Sequence, residues 1–360
     1  MESELVIKKV SPGKMKNKPV DETKLGFGDI FTDHLFLMDY REEGGWVNPR
    51  IEPYGPLSID PAAMGLHYGQ EIFEGLKAYA GSDGGIYLFR AKDNFERMNQ
   101  SASRMCMPEL DVEFAMKCLK ALILQDRDWI PKSHGASLYI RPTMVATEPH
   151  LGVRPSKEYL FYIVLGPVGA YYKEGLNPVG IYVEDRFSRA ALGGTGDAKV
   201  AGNYAASLLA AEQAKKKGFT QVLWLDASEH KYVEEVGTMN IFFLIGDEVI
   251  TAPLSGSILP GVTRKSVIQL ATDWGYKVSE RLLSIYDVVE AAESGALKEA
   301  FGTGTAAVIS PVGRINFKNR DYVVGGGTMG ELSRRLYDEL IGLQYGDLPD
   351  TRGWVERIDV

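Results

Sequence analysis

Residues 193–204 read GGTGDAKVAGNY, and the role given to Lys199 within that run decides which fold the chain can have. At first sight the run resembles a nucleotide-binding P-loop. The pattern G-x-x-x-x-G-K-[ST] needs glycine where Ala198 stands and a hydroxyl where Val200 stands. Without that hydroxyl a magnesium ion loses its ligand, so a nucleotide triphosphatase is excluded. What remains is a lysine framed by Gly196, Ala198, Ala201 and Gly202. Small neighbours let a backbone lie flush against a ligand. Taken alone, a lysine in such a run is more often a solvated surface residue.

Working outward, 203–217 reads as a helix stopped by Gly218. Residues 221–226 read as a strand, and 239–245 and 248–252 flank Gly246-Asp247, a two-residue hairpin turn. Residues 262–274 and 287–294 read as helices. Upstream, strand 180–184 follows a Gly/Pro-rich stretch, 166–178, whose composition marks a linker. The expected division is therefore an N-terminal domain over 1–168, a linker over 169–178 and a C-terminal domain over 179–360. In the first half, 86–89 reads as a strand and 93–105 as a helix with Asp93 as its N-cap. Residues 110–129 read as a second helix, with Val112, Ala115, Met116, Leu119, Leu122 and Ile123 on one face. Strands 137–147 and 159–165 follow. Strands and helices alternate loosely with hairpins, which predicts a two-domain α+β or mixed α/β fold rather than a doubly wound one. The first 22 residues carry Lys8, Lys9, Lys14, Lys16 and Lys18 and read as a flexible, solvated tail.

Composition narrows the function. Hydrophobic residues are 45% of the 360, enough for a sizeable core. A net charge of −8 repels phosphate backbones and argues against nucleic acid as a partner. No run approaches the roughly 18 apolar residues of a membrane span, and the N-terminus lacks the apolar region of a signal peptide. Cys106 and Cys118 fall in helical sequence without C-x-x-C or zinc spacing and read as buried thiols. His34, His67, His134, His150 and His230 are scattered, with no H-E-x-x-H. A cytoplasmic enzyme without a metal, acting on small molecules, is the expectation.

Two more glycine-bearing runs carry anion chemistry. Residues 302–307, GTGTAA, match G-x-G-x-x-[GA], but the following AVISP is β-branched and stopped by proline where a dinucleotide site needs a helix. Its small residues would still let backbone N–H groups approach an anion. Pro260-Gly261-Val262-Thr263 opens a helix, whose positive end makes a phosphate cup. Plain N-capping by Thr263 stands beside that reading. Glu235, between Val233 and Val236, could face inward; by itself it reads more simply as a solvent-facing strand glutamate.

These fragments fall into one order: HYGQEIFEGLKAY from His67, LYIRPTMVAT from Leu138, GDAKVAGNY around Lys199, EEVGTMNIF around Glu235, LPGVTR around Thr263 and FGTGTAA around Thr305. Together they resemble the branched-chain amino-acid aminotransferases of fold type IV, in the longer form that includes the mammalian enzymes. The likeness runs from about Leu25 to about Tyr345, and six motifs in one order are too many for coincidence.

The resemblance implies a two-domain pyridoxal 5′-phosphate (PLP) enzyme with the cofactor between its domains. It would convert L-leucine, L-isoleucine or L-valine with 2-oxoglutarate to the 2-oxo acid and L-glutamate. Lys199 matches the Schiff-base lysine, Glu235 the acid facing the pyridine nitrogen, and Tyr204 the tyrosine bonding the phenolic oxygen. Arg97, Thr238, Val262 and Thr263 would hold the phosphate; only the motif FERM raises Arg97 above a surface helical arginine. Thr305 and Ala306 match the turn that binds the α-carboxylate, with Thr305 also beside the cofactor. Phe27, Tyr68, Phe73, Tyr139 and Tyr171 match the aromatic wall around an aliphatic side chain. Arg141 matches the residue linked to the second carboxylate of glutamate; bracing the strand before Pro142 is its plainer reading. A homodimer is implied, with the apolar loop Leu151-Gly152-Val153 reaching the neighbour's pocket. Mammalian members carry C-x-x-C where Ala307 and Ser310 stand here, which removes thiol switching at that place. Within fold type IV the rival activities are a D-amino-acid aminotransferase and an aminodeoxychorismate lyase.

Overall fold

The computed structural model describes residues 4–169 and 176–359. They divide into two units, 4–169 with 198–201 and 342–359, and 176–197 with 202–341. The chain thus enters the first unit for the four residues Ala198–Ala201, and its C-terminus rejoins that unit. This differs from the expected division, which kept everything after residue 178 together. The cause is burial: Ala198, Val200 and Ile358 all pack into the first unit's core. Composition marks a linker, but it does not say where a distant apolar residue will be buried. Most of the expected linker, residues 170–175, lies outside the described residues.

The first unit holds β1 (Val6–Ile7), β2 (His34–Arg41), β3 (Gly45–Pro53), β4 (Glu71–Phe73), β5 (Leu76–Ala80), β6 (Ile86–Phe89), β7 (Ser137–Ala146) and β8 (Glu158–Val168). With the C-terminal strand Val355–Ile358 they form one sheet in the order β1-β3-β2-β8-β7-β5-β6-C-terminal strand, and β4 adds to β7. Helix α1 (Met64–Tyr68) leads into β4; α2 (Ala91–Arg104) and α3 (Val112–Gln125) cover one sheet face. Alternation sends Phe36, Met38, Leu138, Ile140, Phe161 and Ile163 into the core beneath these helices. Their neighbours in sequence, Tyr139 and Arg141 among them, take the opposite face.

Several expectations change here. Asp93 does not cap α2; Arg90 holds the cap position, and Asp93 pairs with it at 2.9 Å from inside the first turn. The expected helix over 110–129 is two pieces, since Asp111 caps α3 and Arg127–Trp129 is a separate 3-10 turn. Cys106 is exposed, just past α2 in a left-handed conformation (φ 53°), whereas Cys118 is buried in α3. Burial pushes the Cys118 thiol up to about 12.

The expected flexible tail is also overturned, for the described residues from 4 onward. β1 pairs in parallel with β3. The Val10 N–H donates to Nε2 of buried His34 at 2.9 Å, and the Lys16 N–H to the Asp33 carboxylate at 2.8 Å. Buried His34 and Asp33 need partners at this sheet end, and the N-terminal segment supplies them.

The second unit contains β9 (Val179–Glu184), β10 (Gln221–Leu225), β11 (Val233–Val236), β12 (Met239–Ile245), β13 (Glu248–Thr251), β14 (Lys277–Glu280), β15 (Leu297–Gly304), β16 (Val308–Phe317) and β17 (Arg320–Val323). Their order is β11-β10-β9-β16-β15-β12-β13-β14, and an extra β11–β12 pairing closes the path from β11 to β12 into a ring. Ile181, Leu223, Val233, Ile241, Phe243 and Ile315 share one core within this unit. Helices α4 (Ala201–Lys216), α5 (Val262–Asp273), α6 (Ile285–Glu293) and α7 (Glu331–Gln344) complete the order. Gly246-Asp247 makes the expected hairpin, with Gly246 at φ 59°. No helix among the described residues is long and apolar enough to cross a membrane.

Candidate active site

Lys199 owes its direction to strand alternation. Val200 bridges Ile72, the Phe73 N–H donates to the Lys199 carbonyl at 3.1 Å, and the Lys199 N–H donates to Ser101 Oγ at 2.9 Å. This fixes 198–200 as a strand-like segment on the first unit. Ala198 and Val200 point into the core, so Lys199 must point away from it. Its ammonium nitrogen lies 4.8 Å from the centre of the Phe73 ring.

On the same unit Arg141 spans the aromatic residues. Its guanidinium lies 4.7 Å from the Phe73 ring and 5.2 Å from the Tyr139 ring, and Nη2 donates to the Tyr139 hydroxyl at 2.8 Å. Phe27 meets Tyr139 edge-on at 4.8 Å. Phe27, Phe73, Tyr139, Arg141 and Lys199 therefore form one cluster. Arg141 Nε is buried without a hydrogen-bond partner among the described residues. Burial raises the Glu71 carboxyl above its usual range, and the charge of Arg141 partly offsets this. Tyr68, 41% exposed at the end of α1, donates its hydroxyl to the Leu151 carbonyl. Tyr171 lies outside the described residues.

Arg97 is no surface arginine. It is buried in α2, and its fork holds the Glu74 carboxylate through Nε and Nη2, both at 2.8 Å. Burial works against the Glu74 charge. The Arg97 charge and hydrogen bonds, helped by Lys199 and Asn94, outweigh it and hold Glu74 below the usual carboxylate range.

The second unit carries a recess lined by Arg189, Asn203, Tyr204, Glu235, Thr238 and Leu259, with Ser207 and Gly237. It brings together three expected residues: Tyr204 from the first turn of α4, Glu235 from β11 and Thr238 from the tight turn joining β11 to β12. Glu235 is 3% exposed, not solvent-facing. Its Oε2 lies 2.5 Å from Arg189 Nε, while Oε1 accepts from Asn240 Nδ2 at 3.0 Å and the Leu259 N–H at 3.3 Å. Gly196 shows why the run before Lys199 is lean. A Cβ there would lie 2.2 Å from the Ser257 carbonyl oxygen.

From Leu259 the chain runs directly into α5. Gly261 holds its N-cap and no side chain caps the turn, so Thr263, second in the helix, is not the cap. The first-turn N–H groups of Val262 and Thr263 point out of the helix end, where an anion is favoured. Thr305 and Ala306 form the turn between β15 and β16, so the glycine-rich run there leads into a strand and not a helix. Val308, closing that turn, has φ 61°, a strained conformation for a β-branched residue.

Sequence reasoning missed Glu74, Arg189 and Asn240. Glu74 and Asn240 stand inside quoted motifs, but a buried charge partner or a shared amide shows only after strands are paired. Arg189 lies outside every motif.

The donor set suits a phosphorylated pyridine cofactor. The recess offers a buried carboxylate paired with an arginine for a ring nitrogen, and a tyrosine hydroxyl for a phenolic oxygen. A strap leads from it into an uncapped helix N-terminus suited to a phosphate.

Comparison with known proteins agrees. Residues 71–315 match the family Amino-transferase class IV. The chain is 54% identical over 343 residues to branched-chain-amino-acid aminotransferase 2 of Bacillus subtilis, covering 95% of this chain and 94% of that one. A solved branched-chain amino acid aminotransferase of Escherichia coli superposes with a TM-score of 0.73 at 26% identity, over 90% of this chain and 98% of that one. A T.th. enzyme of the same name, solved with pyridoxamine 5′-phosphate, gives 0.72 at 28%, over 89% and 97%.

Proposed function

This chain belongs to the class IV aminotransferases, within their branched-chain amino-acid group, and from that membership we propose that it transfers the amino group of L-leucine, L-isoleucine or L-valine to 2-oxoglutarate. The products are the branched-chain 2-oxo acid and L-glutamate, and the cofactor is PLP. When bound, PLP supplies an aldehyde that condenses with amines and a conjugated ring that takes up electron density from the substrate Cα.

The chain's own residues do the rest. Lys199 would hold the cofactor covalently, and its amine would move the proton from the substrate Cα. Glu235, with Arg189 against its Oε2, holds a proton on the ring nitrogen. Tyr204 offers its hydroxyl to the phenolic oxygen. Thr238 and the first turn of α5 would hold the phosphate; Arg97, expected beside them, has its Nε and Nη2 on Glu74. The N–H groups of the Thr305–Ala306 turn take the α-carboxylate.

The observation that carries the substrate reading is the set of Phe27, Phe73 and Tyr139 rings around Arg141. The rings give a leucine side chain an apolar wall. Glutamate brings a second carboxylate, costly to bury without a partner. Arg141 is already oriented by the Tyr139 hydroxyl and carries a buried Nε with no hydrogen-bond partner among the described residues. It can supply that partner.

Purified protein given PLP, L-leucine and 2-oxoglutarate should release glutamate. Faster turnover of D-alanine or aminodeoxychorismate would assign it instead to a sister activity.

A further inference from the structure

Asn240 of β12 sits beside Glu235 in register, so both side chains share one face of the sheet. Asn240 is 5% exposed, and it uses its Nδ2 twice. One bond goes to Glu235 Oε1 at 3.0 Å, the other to the Leu259 carbonyl at 2.9 Å. The Leu259 N–H returns to the same Glu235 oxygen at 3.3 Å. The three groups form a closed triangle. The other end of the amide packs against backbone. A Cβ on Gly261 would lie 2.0 Å from Asn240 Oδ1, so the backbone at 261 rests directly on this side chain. Gly261 is the N-cap of α5, where no side chain caps the helix.

We propose that Asn240 is a positioning residue that fixes the Glu235 carboxylate and the helix end at Val262–Thr263 relative to each other. It rests on the reading that PLP binds here, with its ring nitrogen at Glu235 and its phosphate at that helix end. The cofactor's ring is rigid and its phosphate arm short, so the distance between its two anchors is confined to a narrow range. One amide holding both anchors sets that distance before the cofactor arrives.

The residue type follows from the chemistry. Glu235 Oε1 and the Leu259 carbonyl both accept, so the group between them must donate twice at one nitrogen. Asparagine does this; aspartate and leucine do not. With Asn240→Leu, Glu235 and Leu259 each lose a donor. With Asn240→Asp the shape is kept, but two carboxyls now meet at about 3 Å, and such a pair does not ionise fully together.

The test uses full-length holoenzyme. Equilibrium dialysis measures PLP affinity, absorbance against pH follows the bound cofactor, and the Michaelis constant for leucine is read alongside. Asn240→Leu should weaken PLP binding about tenfold or more. Asn240→Asp should shift the absorbance midpoint by roughly one pH unit. The leucine Michaelis constant should change far less than PLP affinity, because Asn240 meets the cofactor's anchors and not the substrate. If Asn240→Leu does not fold, the isosteric Asn240→Asp decides alone through the absorbance midpoint and PLP affinity. Variants that bind PLP with wild-type affinity and an unshifted midpoint would overturn the proposal. Wild-type protein that fails to bind PLP would instead remove the cofactor reading on which the proposal rests.

Discussion

At the residue scale, single side chains carry the proposed chemistry. Lys199 is aimed by its buried neighbours, so Lys199→Ala leaves Ala198 and Val200 in the core and should keep the fold. Turnover should fall by several orders of magnitude, since covalent attachment and proton transfer both go. Borohydride reduction and peptide mass spectrometry should find the cofactor on the Lys199 peptide; finding it on Lys215 or Lys231 sinks the assignment. Arg141 should read the second carboxylate. Arg141→Met keeps an apolar pocket edge but removes the charge that lies 4.7 Å from Phe73. The Michaelis constants for glutamate and 2-oxoglutarate should rise by about tenfold or more, those for leucine much less. Equal losses in the separate half-reactions would return Arg141 to bracing its strand.

At the element scale, Arg97 and Glu74 tie helix α2 to the segment between β4 and β5. The Glu74 side chain is fully buried and that of Arg97 nearly so. Removing one partner strands the other charge, so Glu74→Ala should cost about 3–5 kcal/mol in urea unfolding. The pH dependence has a definite sign. Burial opposes the Glu74 charge, but Arg97 prevails and its folded pKa is depressed. The stability it contributes is therefore complete above the unfolded glutamate value, about 4.3, and is lost as pH falls through the folded one. Glu74→Gln should start less stable at neutral pH and lose less between pH 5 and pH 3. Parallel acid-stability curves for the two proteins would contradict this origin.

At the scale of the whole molecule, we infer a homodimer. Leu151 and Val153 are 63% and 84% exposed, in a loop held by the Tyr68 hydroxyl. Apolar side chains held out in this way are better covered by a partner than by water. Light scattering at assay concentration should give about twice the 39.7 kDa chain mass. Replacing Leu151 and Val153 with aspartate should weaken both assembly and activity. A fully active monomer would refute a shared site.

The sequence by itself determined the family, through a lysine on a lean backbone, a strand glutamate, a helix opened by Pro-Gly and a turn of small residues standing in one order; taken singly, the lysine and the glutamate read as solvated residues. Each is a local pattern, because small residues and helix starts act through backbone geometry near themselves. Tertiary structure alone decided what those groups are bonded to. Arg97 reads as a surface arginine until Glu74 is brought to it, and Asn240 as an ordinary strand residue until β11 pairs with β12. The basic N-terminal segment reads as a tail until Val10 and Lys16 reach His34 and Asp33. The same holds for Ala198–Ala201, which sequence assigns to one domain and burial to the other. Long-range contacts depend on which surfaces the whole chain buries, and a local window of residues carries no record of its distant partner.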